Sequence, residues 1–220
     1  MKIVFLNRYF FPDHSATSQL LSDVAFHLAK AGHEVHVICS RQRYESPAAR
    51  LTAYERVDGV QVRRVWTSRF GRRSLIGRAF DYLTFYASAF AELVLLVREG
   101  DIVIAKTDPP MLSVIAAVAA RLRGAKLINW LQDLFPENAA AADIGWAKGS
   151  VGRMLAGLRD WSLHCARQNV VVGEKMRGRT TGSGLYFIGR GCRQGRRTSA
   201  RCEGRGARSG QSLAGVAGAV

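Results

Sequence analysis

Glycine is missing where a strand-to-helix turn that grips a nucleotide would need it. No glycine occurs between Asn7 and Ser18. The GxGxxG turn that lets backbone approach a pyrophosphate is therefore absent, and GxxxxGK(S/T) occurs nowhere in the chain. Nicotinamide-dependent dehydrogenase and P-loop nucleotidase are poor readings. Cysteine is sparse: Cys39, Cys165, Cys192 and Cys202 show no CxxC spacing. That excludes a recognisable zinc site or disulfide framework and fits a reducing cytosol. The five histidines make no HExxH pattern, so neither metal nor cofactor is expected. The opening "MKIVFLNRYFFPD" holds no apolar run long enough for a signal peptide.

Acidic side chains become scarce late in the chain. The 220 residues carry a net charge of +15. Residues 1–177 hold 24 Lys and Arg against 16 Asp and Glu, and residues 178–220 hold 8 against 1. The last 43 residues also contain 11 of the 22 glycines. They show no sustained period of 2 or 3.6, and the nearest thing to an element there is "LYFI" at 185–188. Such a segment buries too little apolar surface to offset its ordering entropy. It reads as a disordered basic tail. Either it binds nucleic acid or lipid, or, the favoured reading, it is the Arg/Gly/Ala/Ser-rich string that a shifted reading frame in GC-rich DNA produces.

Residues 1–177 alternate short apolar runs with amphipathic segments. Strands are expected at 2–6, 34–40, 101–106, 125–131 and 168–173, with a hairpin at 54–66 turning on Asp58–Gly59. Helices are expected at 17–32, 74–97, 110–124 and 149–167. Leu20, Leu21, Val24, Ala25 and Leu28 mark the apolar face of the first, and Pro109–Pro110 supply the first turn of the third. Continuous Val/Ile/Leu strands separated by helices mean a mainly parallel sheet covered on both faces. The fold class is α/β, Rossmann-like and doubly wound.

In such a sheet, ligands bind outside the carboxyl ends of the strands, near the switch in strand order. Three stretches emerge there. The long first loop carries Asp13, His14 and Ser15 beside a helix N-terminus able to attract an anion; the alternative is a plain surface loop. "KTDPP" places Asp108 after a buried strand, as a ligand group or a helix N-cap. "NWLQDLFPE" ends an apolar strand on Asp133, the strongest candidate, suited to binding hydroxyls or acting as a general base; the alternative is an N-cap or turn residue. Glu137 follows, as a substrate contact or a solvated loop residue.

The helix at 74–97 has a basic approach: Arg69, Arg72, Arg73 and Arg78. It is nearly long enough to span a bilayer, but Asp81 and Glu92 argue against spanning. A basic, aromatic-rich amphipathic segment fits lying on an anionic membrane surface. Its plainer alternative is a core helix with a solvated basic flank. No recognition helix or aromatic sheet face points to specific nucleic-acid binding.

"NRYFFPDHSATSQLLSDVAFHLAKAGHEVHVICS", "TDPPMLSVIAAVAARLRGAKLINWLQDLFPENA" and "VVVGEKMRGR" together resemble the N-terminal domain of family 4 glycosyltransferases of the GT-B fold, in particular bacterial enzymes of capsule, exopolysaccharide and O-antigen synthesis. The resemblance covers about residues 1–177 and implies one half of a GT-B fold. It implies a retaining, metal-independent transfer from a nucleotide-sugar donor to an acceptor, often a polyprenyl-diphosphate-linked sugar at the inner-membrane surface, on the cytoplasmic side. Combined with the strand-end reading, an acceptor-holding domain makes Asp133 the candidate catalytic residue and Asp13, His14, Ser15, Asp108 and Glu137 the candidate substrate contacts. Two departures stand out. Where many relatives carry a Gly-Gly pair, this chain reads "HSATS". The second domain, which supplies most of the donor site, is missing after Arg177. The expectation is a truncated acceptor-side half, inactive alone. A non-enzymatic membrane-associated binding protein of the same fold is the alternative.

Overall fold

A computed structural model describes residues 1–44, 51–70, 75–133, 135, 149–171 and 185–187. The strands are β1 (Lys2–Leu6), β2 (Glu34–Ser40), β3 (Tyr54–Val57), β4 (Val60–Val65), β5 (Ile102–Lys106), β6 (Lys126–Leu131), β7 (Gln168–Val171) and β8 (Leu185–Phe187). The helices are α1 (Ala16–Lys30), α2 (Leu75–Leu96), α3 (Leu112–Arg123) and α4 (Ser150–Cys165).

All eight strands join one sheet in the order β3-β4-β2-β1-β5-β6-β7-β8. Every pairing is parallel except the β3–β4 hairpin. The hairpin turns on Asp58 and Gly59, both at positive φ (45° and 85°), which is the backbone a two-residue turn between twisted strands requires. The expected α/β, doubly wound architecture is what the chain adopts. The boundary drawn at residue 177 falls between β7 and β8, in a stretch outside the described residues. Apart from β8, so does all of 178–220.

Side chains alternate across the central strand. Val4 and Leu6 join Phe85, Leu93, Leu112 and Ala116 beneath α2 and α3. Ile3 and Phe5 join Leu21, Ala25, Val35 and Val37 beneath α1. The sheet is thus buried on both faces, which is why its strands read as near-continuous apolar runs. Farther along, Leu163 of α4 meets Leu131 and Val171.

Two local expectations need correction. α3 does not begin on Pro109–Pro110. It starts at Leu112, behind Met111 in left-handed conformation (φ 67°). The Pro110 carbonyl accepts a hydrogen bond from the Tyr86 hydroxyl of α2, and Leu112 N–H bonds the Pro109 carbonyl. The prolines therefore form a pinned turn ahead of the helix, and its N-cap position is held by Met111 instead of Asp108. The apolar face of α1 also differs. Ser18, Leu21, Ser22 and Ala25 are buried, whereas Leu20 and Val24 are exposed. The buried positions 18, 21, 22 and 25 follow i, i+3, i+4, i+7 spacing, which leaves Leu20 and Val24 off the packed face. The stop of α3 is as expected: Gly124 (φ 67°) closes it, and a Cβ there would meet Glu99 Cγ at 3.1 Å.

Candidate active site

The strand order reverses between β1 and β5. The chain leaves β1 toward β2 on one side and returns to β5 on the other. Loops diverging from two adjacent strand ends leave a crevice between them. Backbone hydrogen bonds knit its rim. Arg8 N–H donates to the Asp108 carbonyl at 2.9 Å, Ser40 N–H donates to the Arg8 carbonyl at 2.8 Å, and Asn7 N–H donates to the Ile38 carbonyl at 3.2 Å. The exit of β6 is tied in through Gln132 N–H to Thr107 Oγ1 at 3.2 Å.

Asp108 and Asp133 line one cavity of about 330 Å³ in this crevice, with Thr17, Met111, Phe135 and Arg159 among its other walls. The carboxylates leave neighbouring parallel strands, β5 and β6, which puts them on one edge of the sheet. Arg159 comes from α4, where its Nη1 donates to the Phe135 carbonyl at 3.2 Å and its Nε to Asp160 at 2.9 Å. Met111 holds a backbone conformation rare for a side chain of its size, and such residues cluster at ligand sites.

Beneath the cavity rim lies Lys106, at the end of β5 and fully buried. Its ammonium donates to the Thr17 carbonyl at 2.6 Å and sits 4.5 Å from the Trp130 ring centroid. Burial pulls its pKa down from 10.5 to about 8, partly opposed by the negative charge of Asp108. The first turn of α1 is thereby fixed to the sheet edge.

The first-loop residues have other surroundings. Asp13 is buried, and its carboxylate accepts from Ser15 N–H at 2.9 Å and from Tyr44 N–H. It braces its own loop and ties it to the segment after β2. His14 is exposed, and its carbonyl accepts from Gln19 Nε2. Ser15 occupies the N-cap of α1 without a side-chain capping bond. None of the three lines the cavity that holds Asp108 and Asp133. Glu137 lies outside the described residues, as do Arg72 and Arg73. Arg69 is exposed at the approach to α2. Arg78 lines a second cavity together with Arg8.

α2 is long and apolar enough to cross a membrane by length and composition. One side of it is core: Phe85, Ala89 and Leu93 are fully buried. Asp81, buried near its start, accepts from Ser68 Oγ at 2.7 Å and Phe70 N–H at 3.0 Å. Glu92 pairs with Arg63 at 2.6 Å. The opposite side carries Ile76, Phe80 and Leu83, between 52% and 73% exposed.

Arg8, Lys106 and Arg159 escaped the sequence reading. Two of them carried a signal. A lysine closing "IVIAK" and an arginine just after "KIVFLN" are charges abutting buried strands. Arg159 carried none, because its partner segment joins it only in the fold.

With this geometry in place, the chain's family is settled by sequence: residues 17–187 match the glycosyl transferase 4-like domain, and the chain belongs to that family. Its fold also resembles solved structures. One is sucrose-phosphate synthase from Thermosynechococcus elongatus, at 9% identity and a TM-score of 0.60, covering 86% of this chain and 47% of that one. Another is the N-terminal domain of trehalose-6-phosphate phosphatase from Candida albicans, at 14% identity and a TM-score of 0.52, covering 80% and 41%. The chain spans less than half the length of either. A comparison with curated proteins returned no match.

Proposed function

We propose that this chain forms the acceptor side of a sugar transfer, from a nucleotide-sugar donor to a lipid-linked saccharide in cell-surface polysaccharide synthesis, at the cytoplasmic face of the inner membrane. The convergence of Asp108 and Asp133 on one cavity at the strand-order switch carries this reading. Carboxylates accept hydrogen bonds from sugar hydroxyls. Asp133 orients the attacking hydroxyl and takes its proton, while the oxygen bonds to the anomeric carbon and the carbon–diphosphate bond breaks. Asp108, anchored beside β1, holds a neighbouring hydroxyl.

Two further observations support the acceptor role. The loop from Asn7 to Ser18 has no glycine, so it offers no close backbone approach to a donor diphosphate. The exposed stripe Ile76–Phe80–Leu83 on α2 is apolar and flanked by Arg69 and Arg78, which suits an anionic bilayer surface.

The test pairs binding with turnover. The purified chain is incubated with a panel of nucleotide sugars and a short-chain polyprenyl-diphosphate saccharide, with retention read by equilibrium dialysis and product by mass spectrometry. Retention of the saccharide without turnover is the expected outcome. Tight binding of a nucleotide sugar with the saccharide ignored would assign the cavity to the donor. Steady turnover by this chain alone would remove the restriction to the acceptor side.

A further inference from the structure

Asp108 is a wall shared by two cavities. Beyond it lies a smaller one of about 200 Å³, lined by Arg8, Tyr9, Tyr44, Arg78, Tyr82 and, from α2, Asp81. That is below the 300–1,000 Å³ typical of a complete small-molecule site, so it suits one group of a larger ligand.

Arg8 is the unusual member. Its backbone is fixed from both sides, by the Asp108 carbonyl and by Ser40 N–H. The residue is 7% exposed. Its guanidinium carbon lies 5.3 Å from the Tyr9 ring centroid and 4.9 Å from that of Tyr82. Nε is buried and has no hydrogen-bond partner. Ring faces attract a cation but do not replace a hydrogen-bond acceptor, and a desolvated donor without one is costly. Arg64, another buried arginine near this edge, is treated differently. Its terminal nitrogens donate to Glu55 at 2.5 Å, Phe11 O at 2.8 Å and Thr52 O at 3.2 Å, leaving only Nε without a partner.

We propose that the Arg8 cavity is an anion subsite that holds a phosphoryl group of the acceptor, a proposal that rests on the acceptor reading above. A phosphoryl oxygen only accepts hydrogen bonds, and its spacing matches the planar guanidinium fork. Tyr9, Tyr44 and Tyr82 line the same cavity. Asp81 is held toward the segment before α2, where Ser68 Oγ–H and Phe70 N–H both donate to its Oδ1. Asp108 faces both cavities, where it repels a phosphoryl oxygen and welcomes a sugar hydroxyl. That polarity sets the ligand's direction, phosphoryl group toward Arg8 and sugar toward Asp133. α2 supports the same order. Arg78 and Tyr82 line the cavity, while Ile76, Phe80 and Leu83 on the same helix turn apolar surface to solvent. A phosphoryl group joining a lipid to a saccharide belongs at that boundary.

The experiment is calorimetric titration of the full chain with inorganic pyrophosphate, in wild-type and Arg8→Gln proteins whose folds are matched by circular dichroism. Both proteins keep the basic tail, so its contribution cancels. Saturable binding that weakens at least tenfold in Arg8→Gln is expected; equal binding overturns the proposal. If Arg8→Gln does not fold, Arg78→Gln on the exposed helix face is expected to weaken binding several-fold, and no change there overturns it equally. Competition separates the two sources of a diphosphate. A short-chain polyprenyl diphosphate is expected to displace pyrophosphate more effectively than uridine diphosphate, and the reverse order overturns the acceptor assignment. Binding of the free saccharide, without diphosphate, reports on the cavity of Asp108 and Asp133. It would survive a failure of the anion subsite.

Discussion

The Lys106 ammonium donates a hydrogen bond to the Thr17 carbonyl at 2.6 Å, so the last residue of β5 holds the first turn of α1 in place. That contact has a pH signature. The folded protein holds Lys106 at about 8, below its ordinary 10.5. Between those values the unfolded chain binds the extra proton, so stability rises with pH across that window. Urea midpoints of wild type and Lys106→Met, taken at pH 7 and pH 10, are expected to diverge in favour of wild type at the higher pH. A difference that stays constant would mean that burial does not perturb this lysine.

Asp13 is expected to act on stability. Its carboxylate joins Ser15 N–H to Tyr44 N–H, and hydrogen bonds to a charged group contribute about 1.5–3 kcal/mol each. Asp13→Ala should lower the unfolding free energy by about 3–6 kcal/mol by denaturant titration. Free-saccharide affinity should fall less than in Asp133→Ala.

Asp101 supplies an acid-side prediction. Burial raises its pKa, but Lys2 N–H and Arg98 N–H donate to its two oxygens and outweigh that, leaving it below 3.8. Its stabilisation is present above the unfolded pKa and is lost as pH falls through the lower folded value. Asp101→Asn should therefore be less stable than wild type at pH 6, with the gap closing below pH 4. Thermal melts across that range measure it.

The apolar stripe of α2 predicts vesicle binding. Ile76→Ser, Phe80→Ser and Leu83→Ser together should reduce co-sedimentation with anionic vesicles at least tenfold. Each exposed change should alter stability by no more than about 0.5 kcal/mol. Equal sedimentation of the triple variant would remove α2 from the membrane contact.

Much of this was legible before the fold. Buried strands such as "KIVFL" and "AKLINWL" declare a parallel sheet because both faces must be apolar. The rule of strand ends then brings Asp108 and Asp133 to one edge. What pattern could not supply was the use of each side chain. Asp13 and Asp108 follow similar strand-to-helix logic, yet one braces its loop and the other lines two cavities. The start of α3 was misplaced because the hydroxyl of Tyr86, far away in sequence, pins the Pro110 carbonyl. Arg8 and Lys106 looked like ordinary strand-flanking charges, and only their burial sets them apart.

The most direct measurement is the affinity of the free saccharide for wild type and Asp133→Ala, both as full chains. The folds of the two proteins are first matched by circular dichroism and melting temperature. Loss of a charged hydrogen bond should weaken binding by about 10- to 100-fold. Equal affinity in the two proteins would contradict the placement of the acceptor at Asp133.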